Sequence, residues 1–375
     1  MDKFRSRLSI SGLFFLHGLV FSSWAVRIPA IQEMHGLSEA ALGTLLIFKP
    51  IAALICMPFA ARAVERFGSK RILLTGISLY GIVLVGLGLM PTPALFALNI
   101  FVFSFASNFV NISINTQAIA LEKVYGRSVM GSLHGLWSLA GFVGGAFGAL
   151  MIAFKILPWQ HFLFIMVLGG LITMLAAPNL IQEDKRIETE KKKFFRLPEG
   201  PLLLLGAIAF FSLLCEGTMF DWSGIYFKKV VGAEGGWIGV GYTAFMVTMA
   251  GTRFLSDPLR EKLGTQKILL YSGLLIFTGL MLSVLFPVLP VAIVGFFLVG
   301  CGVSSIIPLV YSLAGQTNIM TSSAAVTAVA SFGYLGFLVG PPLIGWIAGV
   351  SSLRVSFLVI AVLGLGISWL SRKAR

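Results

Sequence analysis

Charge is scarce in this chain: 11% of its 375 residues are Asp, Glu, Lys or Arg, against about 25% in a soluble domain. That is too little to give a globule of this size a soluble surface. Cysteine is scarcer still. Cys56, Cys215 and Cys301 each lie inside an apolar run, so no disulfide framework or zinc spacing can be built from them. The four histidines, His17, His35, His134 and His161, are too scattered for a metal motif. A phosphate-cradling Gly-x-x-x-x-Gly-Lys-[Ser/Thr] loop is also missing, and with it the means to hydrolyse ATP. No metal, cofactor or catalytic residue is therefore expected, and the chain does not read as an enzyme. Apolar residues are plentiful, at 57%, with 32 Phe and 42 Gly. Disordered and collagen-like classes fail on the same figures. An integral membrane protein in contact with the lipid bilayer remains.

A membrane-crossing helix needs about 20 mostly apolar residues. The chain holds twelve such stretches: 8–31, 39–61, 71–90, 94–121, 128–154, 160–179, 200–226, 236–256, 267–286, 290–315, 322–348 and 353–370. The fold class expected is all-α, with 12 transmembrane helices. Pro91 and Pro93 separate the third and fourth stretches, Pro287 and Pro290 the ninth and tenth. Ser38 is placed to cap the second. Lys3, Arg5 and Arg7 precede the first stretch as in a signal peptide, but the apolar run is too long and lacks a cleavage site, so an uncleaved first span is expected.

The formal net charge is +13, and 22 of the 28 Lys and Arg fall on one side of this twelve-span arrangement. The positive-inside rule puts both termini on the cytoplasmic side. The basic excess is thus a topology signal. Nucleic-acid binding would gather basic and aromatic residues on one soluble module, and none is present.

The longest polar stretch divides the chain into an N-terminal six-helix bundle (1–181), a central cytoplasmic loop (182–199) and a C-terminal six-helix bundle (200–375). The halves echo each other. Residues 65–74 match 261–270 at 5 of 10 positions without a gap, a shift of 196. Gly141, Phe142 and Gly145 reappear as Gly336, Phe337 and Gly340, a shift of 195. Such echoes point to a duplicated six-helix unit.

On these residues the chain resembles the major facilitator superfamily. The family's loop motif, approximately Gly-x-Leu-Ala-Asp-Arg-x-Gly-Arg-Lys, here reads Ala61 to Lys70. Arg66, Gly68 and Lys70 match, Glu65 stands for Asp, Ala61 for Gly and Ser69 for Arg. The segments Ser23–Gln32 and Glu216–Ser223 further resemble YbjJ-type bacterial permeases. The resemblance implies two pseudo-symmetric bundles that rock around a midplane site. It also implies a gating role for Glu65, Arg66, Gly68 and Lys70, with Arg253, Asp257, Glu261 and Gly264 as second-half counterparts.

A charge at mid-bilayer costs at least about 2.5–3.5 kcal/mol, so embedded charges are worth naming. Arg27, Lys49, Glu216 and Asp221 lie within spans and sum to zero. Arg27 and Asp221 fall near the outer ends of equivalent spans, which suggests an ion pair or two separate contacts with headgroups. Glu216 lies deeper and can serve as a proton-coupling carboxyl, with Lys49 as its partner; a permanent structural pair is the competing reading. His17, mid-span, is a second proton-carrier candidate or a hydrogen-bonded lining residue.

Ser104, Asn108, Asn111 and Asn115 share one face of the fourth span. Such a polar stripe must face protein or water. The resemblance favours cavity lining, with Tyr311 and Gln316 in the tenth span as counterparts. Trp24, Trp137 and Trp222 could supply flat binding faces or simply pack. The glycines of the fifth span are expected to pack against the opposite half. The expected function is alternating-access transport of a small polar neutral or zwitterionic solute, possibly sugar-like, coupled to protons as a symport and performed by a monomer. Alternatives are an exporter of lipophilic cations and a non-transporting membrane receptor or assembly factor.

Overall fold

Pro50 and Pro308 interrupt two of the predicted spans, and the interruptions shape what surrounds them. Proline has no N–H and its ring crowds the carbonyl four residues back. In the computed structural model of the chain the second span accordingly splits at Ile47 into α2 (Glu39–Leu46) and α3 (Phe48–Phe67). The tenth splits at Ser305 into α11 (Leu289–Ser304) and α12 (Ile306–Gly315). The structure describes residues 2–126, 129–182, 198–317 and 321–373, without the side chains at 254, 256, 257 and 323.

The remaining helices are α1 (Lys3–Met34), α4 (Ser69–Leu87), α5 (Pro93–Tyr125), α6 (Met130–Ala153), α7 (Pro158–Ala176), α8 (Pro201–Lys229), α9 (Trp237–Leu263), α10 (Thr265–Leu285), α13 (Ser322–Val350) and α14 (Leu353–Ser371). Their ends follow local chemistry. Asp2 caps α1 by accepting from Phe4 and Arg5 N–H. Thr92 caps α5 ahead of Pro93, Thr321 caps α13 and Ser352 caps α14. These side chains satisfy donors that a helix start leaves open. Among the described residues eleven helical segments are long and apolar enough to cross a membrane. The predicted eighth span coincides with α9, which that tally omits; Arg253 and several Thr and Gly dilute it.

The chain forms two compact units. The first comprises residues 1–36 and 45–189, the second 37–44 and 190–375. Within the first, α1 packs on α6 and α7, and α5 on α3 and α4. Within the second, α8 packs on α13 and α14, and α11 on α9 and α10. These are corresponding pairs, so the sequence duplication is also a duplication of packing. The turn glycines agree: Gly68 has φ 83° and ψ 147°, Gly264 φ 78° and ψ 153°. Only glycine adopts this backbone without strain.

Two of the fifth-span glycines, Gly144 and Gly148, correct an expectation. Gly144 closes on Ser22 and Gly148 on Val26, so this face of α6 meets α1 of its own unit. The space lets Ser22 Oγ donate to the Ala140 carbonyl at 3.3 Å. In the second unit Gly336 lies against the Phe210 carbonyl and Gly340 against Leu214, joining α13 to α8. Small residues permit such approach where lipid provides no hydrophobic drive between helices.

The second unit includes residues 37–44, the beginning of the second span. Gly43 packs face to face with Gly345, and Ala40 lies against Gly349. Lys229 Nζ donates to Glu39 Oε1 at 2.6 Å, and Trp346 Nε1 to Thr44 Oγ1 at 3.0 Å.

Candidate functional site

In the first unit the polar stripe of α5 is partly satisfied by its own helix. Asn108 Nδ2 donates to the Ser104 carbonyl at 2.8 Å. Asn115 Nδ2 donates to the Asn111 carbonyl at 2.7 Å and to its Oδ1 at 3.0 Å. Ser104 Oγ donates to the Lys49 carbonyl at 2.7 Å, tying α5 to α3 just below the break at Ile47. Asn111 is exposed, Asn108 and Asn115 half-buried.

Facing this stripe, α1 and α6 bring a ring of aromatic and imidazole groups. His17 Nε2 lies 3.1 Å from Ser107 Oγ. The His17 ring packs on Tyr80 and Trp137, at 5.6 and 6.4 Å between centroids. Trp137 also packs on Phe21 at 5.7 Å. Lys49 Nζ stands 5.8 Å from the centre of the Phe21 ring, within cation–π range. His134 Nε2 is 3.2 Å from Asn115 Oδ1 and its ring packs edge-on against Phe14. His17, Lys49, Asn115 and Trp137 of the predicted set thus belong to one cluster. Phe21, Tyr80, Ser107 and His134 join it unannounced. The signals were there: Phe21 is one turn after His17, Ser107 shares the stripe with Ser104, and His134 precedes Trp137 by three residues.

In the second unit Glu216 is buried on α8 and its Oε1 lies 3.6 Å from Arg253 Nη2 on α9. The cation found for it is Arg253, which the loop motif had grouped with the gate. Tyr311 lies on α12. Ser312 Oγ accepts from Arg260 at 3.1 Å and from Gln316 at 3.3 Å, drawing α9 and α12 together. This unit therefore places Glu216 and Arg253 in one group and Arg260, Ser312 and Gln316 in another.

Two predicted binding faces are closed. Trp24 is fully buried and packs on Phe96 and Phe103, each 6.0 Å away. Trp222 is fully buried and donates to the Pro341 carbonyl at 2.9 Å. Both are packing residues of their own unit, because neighbouring rings and helices occupy the faces a solute would use. Arg27 too has a partner other than the carboxylate suggested for it: Nε donates to His161 Nδ1 at 3.2 Å. Asp221 is buried on α8.

Of the loop residues, Glu65, Arg66 and Glu261 are exposed and Lys70 half-buried, while the side chain of Asp257 lies outside the described residues. Arg66 covers the Phe67 ring at 5.3 Å. Buried beneath the loop, Gln117 is a residue the sequence reading missed. Its Nε2 donates to Ser69 Oγ at 2.6 Å and to the Ile181 carbonyl at 2.8 Å, and its Oε1 accepts from Ile181 N–H at 2.9 Å. One amide thereby clamps the loop and the exit of the first unit to α5.

Comparison with known proteins gives a consistent family. The Major Facilitator Superfamily model matches residues 10–318. An uncharacterized MFS-type transporter of Yersinia pestis is 32% identical over 355 residues, covering 95% of this chain and 92% of its own. An uncharacterized transporter of Sinorhizobium fredii is 32% identical over 353 residues, covering 93% of each. Membrane protein MosC of Rhizobium meliloti is 29% identical, covering 94% of this chain and 86% of its own. Among solved structures, the nucleoside transporter NupG superposes with a TM-score of 0.77 at 13% identity, covering 100% of this chain and 99% of that one. A bacterial homologue of the human lysosomal transporter Spinster gives 0.76 at 15%, covering 98% and 95%. At these identities the structural likeness speaks for the fold.

Proposed function

Since the chain belongs to the Major Facilitator Superfamily, a family of multi-pass membrane transporters, we propose that it moves a small polar, neutral or zwitterionic solute by alternating access, with proton coupling through Glu216. The observation that carries this reading is the Glu216–Arg253 pair: a buried carboxylate with a cation at 3.6 Å. A proton arriving on Glu216 would release Arg253, and loss of the proton would restore the pair. The change of charge is confined to one position on α8 and so can bias one arrangement of the protein over another.

The solute class follows from the first-unit cluster. Asn111, Asn115, His134 and Trp137 offer hydrogen-bond donors and acceptors beside a flat ring, suited to an uncharged polar molecule. A lipophilic-cation exporter would use Glu216 as the direct ligand of the cation, and Arg253 already stands there. Under the same proposal the protein is an inner-membrane monomer with cytoplasmic termini, and the two loop motifs act in gating.

The test is thermal stability of the purified protein against sugars, amino acids, nucleosides and lipophilic cations at several pH values. A ligand at 100 times its dissociation constant adds about 2.7 kcal/mol. Stabilisation by a polar neutral solute, lost in Glu216→Gln, is the expected result. Stabilisation by lipophilic cations alone would transfer the protein to the exporter class. Absence of solute-driven flux in proteoliposomes would favour a receptor.

A further inference from the structure

We propose that Arg27 and His161 form a pH-sensitive contact between α1 and α7, closed while the imidazole is neutral and opened when it takes a proton. The argument starts from what each atom can do. Arginine Nε–H can only donate, and it lies 3.2 Å from His161 Nδ1. Nδ1 must therefore present a lone pair, which places the single ring proton of His161 on Nε2. A second proton would go to Nδ1. It would remove the acceptor, set N–H against N–H and put two cations side by side.

The surroundings give that event few outlets. Arg27 is 3% exposed and His161 is 0% exposed. Among the described residues Arg27 is the charged group that faces His161. From α6 come Phe147, edge-on at 5.5 Å, and Gly148. From α7 itself comes Phe162 at 5.6 Å. The end of α4 and its capping residue, 84–88, are apolar, with Gly88 against Trp159 of α7. Neither Arg27 Nη2 nor His161 Nε2 has a hydrogen-bond partner among the described residues, and the bond that protonation breaks is the one that joins the two side chains. The inference concerns the first unit alone and is independent of the solute and its coupling.

Nitrogen NMR of protein labelled with 15N-histidine reads the tautomer directly. Four histidines make assignment by single replacement practical. At about pH 8 His161 is expected as the Nε2–H tautomer, converting to the doubly protonated ring on acidification, with a fall in melting temperature over the same range. His161→Asn keeps an acceptor oxygen where Nδ1 stood and cannot take up a proton, so the acid fall is expected to shrink. Arg27→Met is expected to release the tautomer preference at pH 8. An Nδ1–H ring at pH 8 in the unmodified protein overturns the proposal, whatever the variants do. So does an acid fall undiminished in His161→Asn.

Discussion

At Gly336 an added Cβ would collide with the Phe210 carbonyl, whereas at Gly170 it would meet nothing within 4 Å. Gly336→Ala is therefore expected to cost about 1–3 kcal/mol through overpacking, and Gly170→Ala to leave thermal stability within about 0.5 kcal/mol. Equal melting temperatures for the two variants would show that α13 can back away from α8. Small residues at four-residue spacing were legible in the sequence; the identity of the helix they admit was not, because spacing gives a face and no partner. The same limit explains Trp24 and Trp222. A tryptophan within a span looks alike whether a solute or Phe103 covers it. It explains Gln117 as well, since a glutamine on an apolar helix carries no sign that it will grip the backbone 64 residues later.

Helices were the most legible level, because each span needs its own long apolar run and several ends carry a cap or a proline. The predicted 94–121 became Pro93–Tyr125, and 322–348 became Ser322–Val350. What periodicity cannot register is a break inside an apolar run. Pro50 removes the N–H that would reach the Leu46 carbonyl, and α2 ends at that residue. Pro50→Ala is expected to let α2 and α3 join. Amide hydrogen exchange through residues 46–51 should then slow by about fivefold, the equivalent of one hydrogen bond worth about 1 kcal/mol. Unchanged exchange would mean that packing of residues 37–44 in the second unit, rather than the proline, holds the break open.

For the whole molecule, the distribution of Lys and Arg makes the simplest prediction. With Cys56, Cys215 and Cys301 replaced, Lys155→Cys is expected to react with an impermeant maleimide added outside the cell, and Lys373→Cys only after the membrane is opened. Both lysines are exposed, so the opposite pattern would invert the proposed orientation. The duplication was legible at this scale because two ten-residue segments agree at 5 of 10 positions without a gap. The membership of residues 37–44 in the second unit was not, since continuity along the chain hides it. That membership has a consequence in time. Thr44 and Trp346 are 302 residues apart, and ribosomes add about 5–20 residues per second. The early segment therefore emerges roughly 15–60 s before Trp346 has been made, and until then it waits in the membrane without its indole donor or its glycine neighbour. A chain interrupted in the central loop leaves that segment on the first fragment, so the second fragment, however well it inserts, can be completed only by a piece of the first.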